Sequence, residues 1–127
     1  MEVLCPVSLG ELVDKISILR IKMEKIKDHQ KVFHVKNEED KLFKKLSELK
    51  LDGIDQFLQQ LVKINSELWE IEDLIRDKER EKDFGEGFIE LARSVYVTND
   101  QRFRVKNEIN EKYSSGIVEV KSYQNYE

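Results

Sequence analysis

A chain of 127 residues is of single-domain size and can bury roughly two thirds of its unfolded surface, so one core is expected. Charged residues make up 38% and hydrophobic ones 39%, with one Pro and five Gly, which suits amphipathic helices with solvated outer faces and excludes a disordered polymer. The net charge of −4, with Lys and Arg spread along the chain, gives no field that would recruit a nucleic-acid backbone, so no nucleic-acid partner is expected.

Val3 to Val7 is short, β-branched and interrupted by Pro6, and reads as an extended arm or edge strand. The lone Cys5 within it cannot form an internal disulfide, and its apolar neighbours suggest a buried thiol rather than a nucleophile. With no apolar run of eighteen residues and no basic-then-apolar leader, no membrane partner is expected and the cytoplasm is the expected compartment.

Ser8-Leu9-Gly10-Glu11 is a capping box, a Ser and a Glu three residues apart that satisfy each other's unpaired amides at a helix start. Leu12, Ile16, Leu19, Met23 and Ile26 follow at spacings of four and three, which predicts a helix from about Leu9 to about Lys27. A second helix is expected over Gln30 to Lys50, with Val35, Leu42, Leu46 and Leu49 inward. Its charged middle, Lys36 to Lys41, reads as a solvated face or hairpin tip and carries no expected chemistry.

Leu51-Asp52-Gly53 breaks the pattern, and Asp52 is the expected cap of a third helix. Its stripe of Ile54, Phe57, Leu61, Ile64, Leu68, Ile71 and Ile75 is the strongest periodicity in the chain, flanked by Leu58, Val62 and Trp69, as befits a central bundle helix. Fraying is expected over Asp77 to Asp83, and Phe84-Gly85-Glu86-Gly87 supplies a glycine-built turn. A fourth helix is predicted from near Phe88 to about Tyr113, ended by Ser114-Ser115-Gly116. The β-prone tail Ile117 to Tyr123 is able to pair with Val3 to Val7. The predicted fold is therefore all-α, a single-domain antiparallel bundle of about four helices with short extended arms at both ends.

The chemistry should lie on the fourth helix. Continuing its Phe88, Ala92, Val95 stripe reaches Asn99, Arg102 and Lys106 before returning to Ile109 and Tyr113, so polar groups occupy the seam. An unpaired buried polar group costs roughly 1–3 kcal/mol and a bare charge more, so protein carboxylates or a bound anion must answer them. Candidates on the other helices are Asp14, Lys15 and Lys22 on the first and Asn65, Trp69, Glu72 and Arg76 on the third. In one reading these groups form an interhelical ion-pair network that sets helix register and binds nothing. In the other, Lys22, Arg102, Lys106 and Arg93 or Lys121 leave surplus positive charge in a cleft suited to a phosphate or carboxylate, and Trp69 or Tyr96 stacks on a base or sugar.

Glu67, Glu70 and Asp73 recur at intervals of three and could hold Mg²⁺ in the manner of all-α nucleotide pyrophosphatases. The resemblance is partial, because the next helix offers only Val97-Thr98-Asn99-Asp100 where those enzymes carry Glu-x-x-Asp. No phosphate loop, nucleophile elbow or paired cysteines are present, and His29 and His34, five apart, read as surface histidines.

Three blocks resemble a small family of uncharacterised bacterial and viral proteins, a domain of unknown function: Pro6 to Leu19, Glu67 to Arg76, and Ala92 to Asn110 with the closing Val120-Lys121-Ser122-Tyr123. The chain departs from that family's pattern at Arg20, where an acid is usual, and at Phe103, where a small residue is usual. The resemblance establishes no activity, and its members look like neighbours of sugar-transfer and cell-envelope genes. It implies that Asp14, Lys15, Glu72, Asp73, Arg76, Asn99, Asp100, Arg102, Lys106, Lys121 and Tyr123 form one polar constellation. The leading expectation is non-catalytic binding of a small anionic metabolite, a nucleotide or sugar phosphate, with no cofactor. A helical interaction or homo-oligomerisation module is the alternative from another class, and the Mg²⁺-dependent pyrophosphatase a third.

Overall fold

The computed structural model describes residues 1–127 and contains four helices: α1 (Leu9–Lys25), α2 (His29–Glu48), α3 (Ile54–Glu81) and α4 (Glu86–Lys112). The chain is all-α, and no strand forms. Val3, Leu4 and Val7 stay exposed and the segment after Gly116 has no regular structure, so the expected pairing of the two arms does not occur. Cys5 is exposed rather than buried, because the arm that carries it lies outside the packed core.

Local chemistry explains most boundaries. The Ser8 hydroxyl accepts from the Glu11 amide and starts α1, whereas the Glu11 carboxylate turns away from the cap to Lys106, leaving the capping box half made. The Asp28 carboxylate accepts from the amides of Gln30 and Lys31 and starts α2. Asp52 does not cap α3. The turn into that helix places Gly53 at φ 81°, a left-handed conformation natural to glycine, and the Asp52 carbonyl instead accepts from the Tyr113 hydroxyl. Between α3 and α4 the left-handed residue is Lys82, not a glycine, so α3 stays helical to Glu81 and α4 begins at Glu86.

The helix in contact with all three others is α1, not α3. Val13 and Ile16 of α1 meet Leu46 of α2, Ile54, Leu58 and Leu61 of α3, and Ile109 of α4 in the buried core. This core lies at one end of the molecule. Beyond it α3 and α4 continue as a two-helix hairpin, and no residue from Ser66 to Val97 is buried. The α2 middle is one continuous helix in which Glu39 is buried and receives Arg20 Nε at 3.3 Å. The Arg20 guanidinium also lies 4.6 Å from the Phe43 ring centre, so this charged run contributes a packed ion pair as well as a solvated face.

Candidate functional site

The polar stripe of α4 turns inward and meets α1 and α3. Asp14 of α1, 1% exposed, accepts from Arg102 Nε at 2.9 Å and from Arg102 Nη2 at 2.5 Å, a two-point pairing of a planar guanidinium with a carboxylate. Asn65 of α3 donates to Asp14 at 2.9 Å and to the Ser17 hydroxyl at 2.8 Å, and that hydroxyl donates to the Asp14 carbonyl. One turn further along α4, Lys106 is 5% exposed. It reaches Glu11 at 2.8 Å, Glu119 of the C-terminal segment at 2.7 Å and Asp14 at 3.9 Å. Asn110 accepts from the Gly10 amide at 2.7 Å, where an added Cβ would stand 2.5 Å from the Lys106 carbonyl oxygen. The absence of that Cβ is what lets α1 and α4 approach so closely.

The hydrogen bonds that Arg102 donates to the Asp14 carboxylate hold its guanidinium above its ordinary pKa, against the opposing effect of burial. Burial would by itself push the Lys106 ammonium down, but Glu11, Glu119 and Asp14 outweigh it and raise the pKa on balance. Both groups are therefore cations at neutral pH, and both are answered by carboxylates of the chain itself. The expected surplus of positive charge is absent at this cluster, because Asp14, Glu11 and Glu119 surround the two cations.

The remaining candidate residues divide among three places. A cleft of about 290 Å³ between α1, α3 and α4 is lined by Ile18, Ile21, Asn65, Leu68, Trp69, Glu72, Asp73, Arg76 and Arg102. Arg76 pairs there with Glu72 at 3.3 Å, an exposed contact one helical turn apart. A second hollow, of about 480 Å³, lies between α4 and the C-terminal segment and takes in Tyr96, Asp100, Lys121 and Tyr123, together with Phe103, Arg104 and Tyr126. In it Lys121 approaches Asp100 at 3.7 Å and stands 5.1 Å from the Phe103 ring centre, and Tyr126 packs edge-on against Tyr96. Lys15 and Lys22 join neither group. Lys15 is exposed and paired with Glu38 of α2 at 3.2 Å, and Lys22 has no ion-pair partner. Asn99, next to the cluster, accepts from Arg102 Nη1 at 3.4 Å, and Arg93 is exposed.

Glu67, Glu70 and Asp73 are exposed, and no group of three or more His, Cys, Asp or Glu side chains is placed to hold a metal ion. No helix is long and apolar enough to cross a membrane. Sequence reading missed Glu11, Ser17, Glu119 and Asn110 as members of the cluster. Asn110 was within reach, since the spacing 99, 102, 106 continues to 110, whereas Glu119 lies in a segment with no periodicity to place it.

A family model described as a family of unknown function (DUF6165) matches residues 3–126, and the chain belongs to that family, in accord with the resemblance carried by its three sequence blocks. No curated protein and no solved structure matches the chain.

Proposed function

We propose that this member of a family of unknown function binds a small anionic metabolite, a sugar phosphate or a nucleotide, in the cleft between α1, α3 and α4, without transforming it. The reading rests on Arg102. Its Nε and Nη2 are held by the buried Asp14, so the guanidinium is fixed in place at the cleft, while Nη1 finds only Asn99 at 3.4 Å. The donors left over are pre-oriented for an oxyanion and lose little freedom on binding one. Arg76 supplies a second cation once its exposed pair with Glu72 opens. Glu72 and Asp73 suit the hydroxyls of a sugar, and Trp69 offers an aromatic face. Lys106 takes no part, being held by three carboxylates. An exposed lone thiol at Cys5 supports a reducing compartment, the cytoplasm.

Trp69 is the one tryptophan of the chain, so its fluorescence reports on the cleft directly. Titration with a panel of sugar phosphates and nucleoside mono- and diphosphates should give a saturable change for at least one member. Arg76→Ala should weaken that response about tenfold, the loss of one exposed charge-assisted contact worth about 1.4 kcal/mol, and leave the circular dichroism unchanged. A fluorescence signal indifferent to every member at about 1 mM, the level that detects even a 4 kcal/mol interaction, removes the reading.

A further inference from the structure

The chain exposes 9286 Å², whereas a compact monomer of 15.1 kDa is expected to expose about 7,100 Å², an excess of about 2,200 Å². The two irregular arms account for part of it. The distal α3–α4 hairpin is the other poorly covered region, since no residue from Ser66 to Val97 is buried. From Gly10, which is fixed beside Asn110, α1 runs only about 23 Å to its end, so it reaches no further along α4 than about Val95. The α4 stripe nevertheless goes on. Phe88, Ile89, Ala92, Val95 and Tyr96 recur at the helical spacing of a buried face, yet Phe88, Ala92 and Val95 are only half-buried, and Ile89 and Tyr96 are 52% and 44% exposed.

That stripe is symmetric about Ala92. Counting outward in both directions it reads branched aliphatic and then aromatic, Ile89 and Phe88 on one side, Val95 and Tyr96 on the other. A two-fold interface needs this property, because residue i of one copy must suit residue j of the other while j suits i. We infer that α4 packs antiparallel against α4 of a second copy, with Ala92 of each at the two-fold axis, and that the two hairpins together form a four-helix bundle. Phe88 then faces the partner's Tyr96, and Ile89 the partner's Val95. The small Ala92 side chains allow the helices to approach to about 8 Å at the crossing. The excess surface is ample for an interface that hides about 800 Å² on each partner. Tyr126 covers one edge of Tyr96 and leaves the rest of the ring available.

The inference stands apart from the ligand reading, since it uses the outer half of α4 and neither Arg102 nor Trp69. Light scattering on the full chain at about 50 µM, far above the dissociation constant of a standard-sized interface, should give twice the 15.1 kDa chain mass. Ile89→Glu alters a side chain already half in solvent, so the fold is preserved, and it should raise the dimer dissociation constant at least about a hundredfold, a loss near 2.7 kcal/mol. In a Cys5→Ser background, Ala92→Cys should oxidise with diamide to a disulfide-linked dimer, because the same residue of both copies meets at the axis, whereas Phe84→Cys at the hairpin tip should not. A monomeric mass overturns the proposal. So does a dimer that survives Ile89→Glu or cross-links through position 84 in preference to 92.

Discussion

Removing the Asp14 carboxylate tests whether the polar centre holds the fold together. Asp14→Ala leaves Arg102 without its counter-charge and deprives Asn65 of one of two acceptors, while Lys106 keeps Glu11 and Glu119. Breaking a buried ion pair by deleting one partner costs about 3–5 kcal/mol. The Arg102 side chain is 26% exposed and can recover some hydration through the cleft, and Asn65 keeps the Ser17 hydroxyl, so the lower end, about 3 kcal/mol, is expected. With an unfolding entropy of about 2.1 cal/mol/K per residue over the 127 residues, that corresponds to a fall in Tm of about 11 °C. Thermal and urea unfolding followed by circular dichroism would measure it. The double variant Asp14→Leu with Arg102→Met should recover most of that loss and fall within about 1–2 kcal/mol of the parent, because replacing both charges leaves no buried charge unpaired and only the one Asn65 N–H without its acceptor. A single variant that loses less than about 1 kcal/mol, or a double variant as unstable as the two single losses added, would refute the assignment of the pair as a desolvated, coupled contact.

Gly10→Ala should destabilise by about 2 kcal/mol or more in urea unfolding, since its Cβ meets the Lys106 carbonyl, a backbone atom that cannot rotate away. The pH dependence of stability should carry a Lys106 component at the alkaline end. Its folded-state pKa is raised above the unfolded value of about 10.4, so its contribution is complete below that pH and disappears as the pH rises through the folded value. The parent should therefore lose stability more steeply than Lys106→Met above about pH 10.4, and parallel curves would show that Lys106 is not held more tightly in the folded state.

Helix type and order were legible because each helix carries its own stripe of period 3.6, and all four helices contribute to the buried core, α4 through Ile109. The central position was misassigned because length of stripe is a poor guide to burial. The stripe of α3 is longer than its covered part, whereas α1 is short but hides small and polar residues, Gly10, Asp14 and Ser17, between its apolar ones. Such residues mark close approach rather than exposure, and a hydrophobic pattern alone does not read them. Asn99, Arg102 and Lys106 were legible as an interruption of an apolar seam. Their partners were not, since Glu11 carried an equally good local explanation as a cap and Glu119 sits in a segment without periodicity. Lys15 and Lys22 were grouped with the cluster by charge type, but Lys15 pairs with Glu38 of α2 and Lys22 makes no ion pair with the cluster.

The polar centre and the bare hairpin are two consequences of one packing choice. Apolar stripes on adjacent helices can slide by a turn at modest cost, because Leu and Ile fit many neighbours. A guanidinium gripping a buried carboxylate at two points cannot, since a shift of one turn leaves both charges unpaired in the core. Asp14 with Arg102 and Gly10 with Asn110 therefore fix α1 at the C-terminal half of α4, with Asn65 tying α3 to the same level. Holding α1 there leaves the N-terminal half of α4 with α3 as its one helical neighbour and Tyr126 against Tyr96. A sequence that kept polar residues along that uncovered half would need nothing more. This one keeps Phe88, Ile89, Val95 and Tyr96 there, the residues that the proposed α4–α4 contact would bury.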